Sequence, residues 1–477
     1  MRNYLFILIL ITNYNFCEEY ILFSPIIPYP EQDVDFYTYL MNKNSEIKHV
    51  WEHDSSPASI PYLFQNNTLI RPALVDFPII DLPGRGGLIE KLDWMGNVLW
   101  EFTFSDEWVQ QHHDIEVLPN GNILILAWEK KLQEEVIQKG KINHIGVLYI
   151  DMIVEIEPQG TNEANIVWEW HLWDHLIQDI SPQFENFGVV SEHPELFDIN
   201  YLFLENNEGP SPPGNDDPNF VHCNAIHYNE LLDQIIITSR RANEIFIIDH
   251  STTSEEAAGH NGGLYGKGGD ILYRWGNPMN YNSGGIDDQI LFAPHSANWV
   301  DENYPGNGNI LIFNNGVGMP GNSFSSIIEI EPPLDNDNNY IYVEGESFLP
   351  DTMIVNYNNQ NSFYSSFQSG VLRTQNGNTI ITVTNQDFIF EINPSLEIVW
   401  EYYFTGDGHI ARLMNYEFDF ISGDLNFDNV IDLLDIVFLI ELILNNQNEY
   451  IDIVNNDLNE DEKVDIYDII YIINLIL

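Results

Sequence analysis

The chain has 477 residues, with 17 Lys and Arg against 73 Asp and Glu, so its formal net charge is −56. Such a surface repels polyphosphate and argues against nucleic acid as a partner. Apolar residues make up 44% of the sequence, which excludes an intrinsically disordered acidic chain.

The N-terminal segment predicts export. Arg2 is followed by an apolar run over residues 4–11 and then by polar residues. We expect a signal peptide over residues 1–17 and a mature protein in the periplasm, at the cell surface or outside the cell. Lipidation at Cys17 stays open, although the residues before it are larger than those of a usual lipoprotein signal. The mature chain should have no transmembrane segment, because no later stretch is long and apolar enough.

A repeated pattern fills the middle of the chain, which we expect to form one domain over residues 18–420. Turns rich in Asn and Gly lead into β-rich runs at residues 119–126, 306–313 and 376–382. Asn-Gly between β-branched runs is a strong hairpin signal. Another run follows each hairpin, and an aromatic run then closes the repeat. Short, evenly spaced strands without helical periodicity are typical of a β-propeller.

Six aromatic closing runs predict six blades. They contain Trp51, Trp100, Trp168, Trp275, the pair Tyr340 and Tyr342, and Trp400. Because the run at Trp51 precedes its blade partners, we expect it to join strands around residues 412–420 and close the ring. Residues 173–220 and 250–290 interrupt the repeat. Long loops on a rigid scaffold commonly carry function or cover a site.

Histidine recurs at one place in the repeat, just before the inner strand of a blade. The positions are His112 and His113, then His222, then His295. Equivalent positions of successive blades converge on the central channel, so we expect these side chains to meet there, with Arg240 beside them.

One loop histidine usually has a structural role, but three at equivalent positions favour a shared site. A three-histidine zinc site is the alternative. Four histidines in or beside the insertions are interpreted as loop residues of low functional weight: His171, His175, His193 and His260.

Phrases around these histidines resemble the bacterial arylsulfate sulfotransferases. The phrases lie at residues 111–122, 168–175, 222–226, 243–249, 273–276 and 295–316, and the similarity spans residues 35–416. The resemblance implies an exported six-bladed propeller that uses no nucleotide sulfate donor. By motif, the transient sulfo-carrier would be His295. His222, Arg240 and His113, or less favourably His112, would surround it, and Arg241 leaves a one-residue shift open.

This set of residue types suits transfer of a sulfuryl group. A neutral imidazole can attack sulfur and hold it as a labile N–S adduct, which splits the reaction into two ping-pong halves. An arginine suits the sulfate oxygens, and a second histidine suits the acceptor proton. The resemblance implies aryl sulfates as donors and phenolic small molecules as acceptors. Two alternatives stay open: hydrolysis of aryl sulfates at the same site, and a non-catalytic binding propeller displayed through its tail.

Two copies of an acidic pattern, 33 residues apart, end the chain. The pattern D-x-N-x-D-x-x-x-D-x-x-D has the ligand spacing of a calcium loop of EF-hand type, in which position 7 offers a backbone carbonyl. The first set is Asp424, Asn426, Asp428, Val430, Asp432 and Asp435. The second set is Asp457, Asn459, Asp461, Lys463, Asp465 and Asp468. An apolar helix should follow each loop.

The duplicated loop and helix, with Asp rather than Glu at position 12, resembles dockerin modules of type I. The resemblance implies a small α-helical domain over residues 421–477 with two structural calcium ions. It also implies a cohesin-like or cell-surface partner. The helices begin with apolar pairs, Leu433 with Leu434 and Ile466 with Tyr467. These pairs leave open whether the helices pack on a partner or on the propeller.

Overall fold

The computed structural model describes residues 18–27, 34–64, 67–201, 218–321, 323–359, 362–418, 423–425, 430–445, 457–459 and 463–477. The expected signal peptide and Cys17 lie outside this range. The described residues form two compact units, and the larger one comprises Leu22–Tyr39 and Val50–Met414. None of the helices in the described part of the chain is long and apolar enough to cross a membrane.

Six four-stranded sheets form a six-bladed β-propeller, which confirms the expected fold class. The first sheet combines β1 (Glu18–Phe23), β2 (Phe36–Asn42) and β3 (Ile47–His53) with the late strand β26 (Met414–Phe418), in the order β26-β1-β2-β3. Trp51 therefore lies in the same sheet as a C-terminal strand, as expected from its position.

The other sheets are sequential. The second contains β4 (Tyr62–Leu63), β5 (Leu69–Leu74), β6 (Gly87–Leu92) and β7 (Val98–Thr103). The third contains β8 (Val109–Val117), β9 (Ile123–Lys131), β10 (Leu148–Gln159) and β11 (Glu163–His171). The fourth contains β14 (Cys223–Asn229), β15 (Gln234–Ser239), β16 (Glu244–Asp249) and β17 (Tyr273–Trp275). The fifth contains β18 (His295–Trp299), β19 (Ile310–Asn314), β20 (Ser326–Ile330) and β21 (Val355–Tyr357). The sixth contains β22 (Gly370–Arg373), β23 (Thr379–Val383), β24 (Phe388–Ile392) and β25 (Ile398–Tyr403).

Shorter elements decorate this scaffold. A parallel pair, β12 (Leu176–Ile177) and β13 (Phe197–Asp198), lies in the first insertion. Helix α1 (Gln133–Gln138) follows β9, and α2 (Ser254–Ala257) lies in the second insertion. The tail contains α3 (Leu433–Asn445) and α4 (Ile466–Ile476).

The core of the propeller lies between neighbouring sheets. One cluster joins Ile89 and Trp100 of the second sheet to Ile125 and Val154 of the third. Similar apolar clusters fill the next three interfaces.

Four of the closing tryptophans bury their rings and donate their indole N–H groups to oxygens of the next sheet or its loops. These residues are Trp51, Trp100, Trp168 and Trp275. The Trp100 indole, for example, donates to the Glu163 carbonyl at 2.9 Å. Burial of the ring and a partner for its N–H explain why aromatic residues close the blades.

The predicted fifth closing run is wrong. Strand β21 closes that sheet, whereas Tyr340 forms only an isolated bridge with Leu334. The Tyr340 ring instead stacks on Tyr273 with centroids 4.7 Å apart, and its hydroxyl donates to Gln234 at 2.7 Å. The aromatic signal at this position therefore reflects packing against the neighbouring blade rather than a strand.

Candidate functional site

The inner strands of the third, fourth and fifth sheets each change register at or beside a candidate histidine. The shifts fall between Gln111 and Ile115 in β8, between Cys223 and Ala225 in β14, and between His295 and Asn298 in β18. Bulges re-aim side chains and are frequent beside active sites. These three strands also contact one another in sequence, β8 with β14 and β14 with β18.

The histidines sit slightly differently from the prediction. His222 directly precedes β14, and His295 is the first residue of β18, but His112 and His113 lie inside β8. The reason is that β8 continues across its bulge. Both His113 and His222 adopt left-handed backbone conformations, with φ of 53° and 52°. Such conformations are uncommon for residues other than glycine and commonly mark functional sites.

His295 is held by hydrogen bonds on both ring nitrogens. Nδ1 lies 2.7 Å from Oδ1 of Asn315, and Nε2 accepts a hydrogen bond from the backbone N–H of Gln368 at 3.1 Å. The amide nitrogen of Asn315 donates to the carbonyls of Ser365 and Gln368, so its oxygen must face His295. This network fixes the hydrogen of His295 on Nδ1 and leaves the lone pair on Nε2.

His113 faces His222, whereas His112 is enclosed. The His113 and His222 rings lie 4.7 Å apart, centroid to centroid. His112 is fully buried, stacks on Trp128 at 4.0 Å, and has Nε2 3.2 Å from Asp151. The Nδ1 atoms of His112 and His113 lie 2.9 Å apart, so the enclosed His112 supports His113, which favours His113 as the site residue of the pair.

The two arginines have different roles. The Arg241 guanidinium donates to the backbone carbonyl of Asn219, so this side chain has a structural contact within the fold. Burial is the largest cause of the lowered pKa values of His113, His222 and His295. The positive charge of Arg240 lowers all three pKa values further. This difference favours Arg240 over the neighbouring residue.

Burial first, and the charge of Arg240 second, lower the pKa of His295 to about 3. Burial also lowers the pKa values of His113 and His222 well below the ordinary histidine value. All three imidazoles are therefore neutral at neutral pH. Neutral rings can act as nucleophiles or bases, and the fixed positive charge at the site belongs to arginine.

Several contributors to the site escaped the sequence reasoning. Arg412 pairs with the buried Asp114 of β8, and its charge also lowers the pKa of His113. Asn315 lies within the phrase over residues 295–316, but nothing in that phrase identifies its partner.

Gly84 supports His113 directly. Its carbonyl accepts the His113 backbone N–H at 2.7 Å. A Cβ at position 84 would lie 2.0 Å from the His113 ring, and the backbone φ there is +90°. Only glycine allows this close approach.

The three channel histidines do not share one point as zinc ligands would. His295 uses both nitrogens in protein hydrogen bonds, and Nδ1 of His222 lies 2.9 Å from the Asn219 amide. Among the described residues, only His175, His260 and Asp270 form a group with metal-ligand proximity. The geometry thus gives the zinc alternative at the channel no support.

In the tail, the two loops repeat the same backbone contacts. Asp435 accepts the N–H groups of Leu425 and Asp432, both at 2.7 Å, and Asp468 accepts those of Leu458 and Asp465 at 2.8 and 2.7 Å. Asn426, Asp428 and Asp461 lie outside the described residues. The position-12 carboxylates are buried in both loops.

The donor set in these loops fits calcium. Calcium takes six to eight oxygen ligands, and both loops offer carboxylates and amides at the required spacing. The side-chain oxygen of Asn459, at position 3 of the second loop, is buried and has no hydrogen-bond partner among the described residues. Such an orphaned oxygen is what a bound cation would satisfy.

Comparison with solved structures finds weak likenesses. A Bacteroides caccae protein of unknown function is 10% identical with a TM-score of 0.44, covering 84% of this chain and 98% of its own. The periplasmic gluconolactonase of Pseudomonas aeruginosa is 9% identical with a TM-score of 0.42, covering 84% and 100%. At these scores neither likeness carries an argument. A comparison with curated proteins finds no match.

Family comparison agrees with both resemblances. The sequence model of the dockerin type I domain matches residues 422–477, and that of the arylsulfotransferases matches residues 82–388. The second match spans more than half of the chain and contains every candidate residue of the channel. The chain belongs to the arylsulfotransferase (ASST) family and ends in a type I dockerin domain.

Proposed function

We propose that this arylsulfotransferase-type enzyme moves a sulfuryl group from an aryl sulfate to a phenolic acceptor through a sulfo-histidine at His295. One observation carries the proposal. Asn315 holds the hydrogen of His295 on Nδ1, so that a neutral Nε2 with its lone pair lies within the field of Arg240. No nucleotide sulfate donor enters this scheme.

In the first half-reaction, Nε2 attacks sulfur. The N–S bond forms, the bond from sulfur to the aryl oxygen breaks, and the phenolate leaves with the electron pair. Because His113 and His222 are neutral, the charge of Arg240 rather than a proton from either imidazole stabilises the developing negative charge. A loose transition state with charge on the sulfuryl oxygens suits positioning by a planar guanidinium.

The sulfo-histidine ring gains positive charge, since both nitrogens are then substituted. Asn315 accepts the Nδ1 hydrogen through a neutral carbonyl oxygen at 2.7 Å. This dipole steadies the ring without neutralising it, so neutral imidazole stays a good leaving group for the second half-reaction.

In the second half-reaction, the phenol oxygen attacks sulfur, the N–S bond breaks, and His295 recovers its lone pair. The phenol proton passes to His113 or His222, both of which are neutral in the free site, and is then released to solvent, which restores the neutral ring for the next cycle.

The backbone N–H of Gln368 has a place in this scheme. It donates to Nε2 at 3.1 Å, the atom that must attack sulfur. Once Nε2 is bonded to sulfur, this donor is released and can turn to a sulfuryl oxygen. Gln368 and Ser369 both have positive φ, 48° and 81°, so the backbone that presents this donor is strained.

We further propose export of the enzyme and attachment through its tail. Dockerin domains belong to extracellular or cell-surface assemblies, which agrees with the leader-like residues 1–17. Two calcium ions would fill the loops, and a cohesin-like or cell-surface partner would bind the domain. The propeller is proposed to span residues 18–420 and the tail domain residues 421–477.

The test is turnover of 4-nitrophenyl sulfate by the wild-type chain with and without phenol, beside His295→Ala. We expect release of 4-nitrophenol that requires phenol and falls more than about 1000-fold in the variant. After incubation with donor alone, the intact mass should show one added sulfuryl group, and peptide mapping should place it on the peptide that contains His295. His193→Ala, at a partly exposed histidine of the first insertion, is the matched control and should behave as wild type.

Full transfer activity in His295→Ala would contradict the assignment. Release that does not depend on phenol would identify a hydrolase. No release with several phenols would shift the assignment to a non-catalytic binding propeller.

A further inference from the structure

The two insertions bring a second group of histidines together. His175 follows β11, whereas His260 and Asp270 belong to the second insertion. Nδ1 of His175 and Nδ1 of His260 lie 2.8 and 2.7 Å from the same oxygen, Oδ1 of Asp270. The ligand atoms of the three residues all lie within 4.8 Å of one another.

The hydrogen bonds of His175 cannot all be satisfied by a neutral ring. Nε2 lies 2.8 Å from the backbone carbonyl of Ala257, while Nδ1 lies 2.8 Å from the Asp270 carboxylate. A neutral imidazole has one N–H, so either tautomer places a lone pair against an oxygen acceptor. A cation that is bound to Nδ1 and shared with the carboxylate removes this repulsion.

We propose that His175, His260 and Asp270 bind a divalent transition metal of the zinc class. Two imidazoles and one carboxylate are a ligand set that zinc accepts, with a fourth position left for water or an exogenous ligand. In a tetrahedral site with bonds of about 2.0–2.1 Å, ligand atoms stand about 3.3 Å apart. The two N···O separations therefore need to widen by only about 0.5 Å.

The groups around His175 fix its ring in the way that metal-binding histidines are commonly fixed. Its Nε2 faces a backbone carbonyl, a partner that fixes the ring and its tautomer in many metal sites. The ring of Trp170 lies parallel to it at 5.7 Å, and the Trp170 indole donates to the Gly269 carbonyl at 2.7 Å.

Gly269 makes this packing possible. A Cβ at position 269 would lie 2.0 Å from the Ala257 carbonyl oxygen and 2.7 Å from Nε2 of His175. His175 is therefore a preformed ligand on a rigid support rather than an adaptable loop residue.

The group is accessible from solvent on one side. The His260 side chain is 57% exposed, whereas His175 is fully buried. His260 and Asp270 line a surface cavity of about 890 Å³. His260 can shift to accommodate the ion, and the open coordination position would face this cavity. Because the ligands come from both insertions, the metal would join two segments that are far apart in sequence.

The inference does not depend on the sulfuryl-transfer proposal, and zinc binding tests it directly. The full chain would be stripped of transition metals and kept in excess calcium, so that the tail loops are filled. Bound zinc would then be measured by titration and elemental analysis. We expect one zinc per wild-type chain and a zinc-dependent rise in the melting temperature of the propeller.

Variants separate this site from other zinc binding. His260→Ala changes the exposed ligand and should weaken zinc binding by more than about 100-fold, since loss of an outer-shell partner alone costs up to that much. Asp270→Asn should have a similar effect. His193→Ala changes another partly exposed histidine that lines the same cavity and should bind zinc like wild type. Absence of tight zinc binding by the wild-type chain would overturn the proposal, and so would equal binding by His260→Ala.

Discussion

In the propeller, the candidate histidines lie within β8, directly before β14 and at the start of β18, and each is at or beside a bulge. In the tail, each ligand set comes from one stretch of 12 residues, 424–435 or 457–468. The channel is a site of buried neutral rings and few positive charges. The tail loops are dense in carboxylates. The contrast shows that a local site is specified by spacing, whereas a channel site is specified by the register of distant strands.

Among the variants that test this comparison, we expect the largest change in turnover from substitution of the two neighbouring arginines. Arg240→Gln removes the charge that acts on all three histidines, so turnover should fall roughly 100- to 1000-fold. Arg241→Gln should leave turnover near wild type and lower the unfolding free energy by about 1–3 kcal/mol, because its contact is with the Asn219 carbonyl. Steady-state kinetics and denaturant melts would measure both. Equal losses of turnover would mean that the two arginines are not distinguished as described.

A smaller effect is expected in the tail. Asp468→Asn removes a charged position-12 ligand, and we expect calcium affinity of the second loop to fall about 10- to 100-fold. Turnover should not change, since the channel uses none of these carboxylates. Calorimetric calcium titration and a turnover assay on the same preparation would test this.

The control for the tail variant is Glu401→Gln, which neutralises an exposed acidic residue on β25 of the propeller. This change should leave calcium affinity unchanged. Loss of turnover in step with loss of calcium binding by Asp468→Asn would show that the two regions are coupled.

The smallest expected effect is that of pH on the channel. His295 has a pKa of about 3, so it stays neutral between about pH 5 and 6.5, and kcat/KM should change by less than about twofold. An ordinary histidine of pKa about 6.5 would lose about 16-fold over this range. A loss of that size would mean that a catalytic imidazole is not shielded as the structure indicates.

Burial of His295 makes catalysis insensitive to pH in this range, but it makes the stability of the fold depend on pH. The unfolded chain protonates this histidine near pH 6.5, whereas the folded chain resists protonation until about pH 3. The unfolded state therefore binds more protons in this window. The contribution of the neutral ring to stability is present above about pH 6.5 and is lost as the pH falls towards about 3. Rates must be measured before any acid unfolding begins.

The sequence by itself determined the features that depend on local order. Asn-Gly turns predicted hairpins, short, evenly spaced strands predicted a propeller, and six aromatic closing runs predicted six blades. The oxygen spacing predicted the tail loops, because the backbone converts such local patterns directly into geometry. The prediction of a closing strand at Tyr340 was wrong. In sequence, an aromatic residue that packs against a neighbouring blade looks the same as one in a closing strand.

Only the tertiary structure decided the rest. Asn315 reaches His295 across 20 positions of chain, and Arg412 reaches Asp114 from near the end of the propeller. By sequence His175 is a loop residue of low functional weight, but the fold places Asp270 and His260 beside it. These contacts join segments that are distant in sequence. Their geometry depends on how the sheets pack and where the strands bulge, and no local pattern of residues encodes that information.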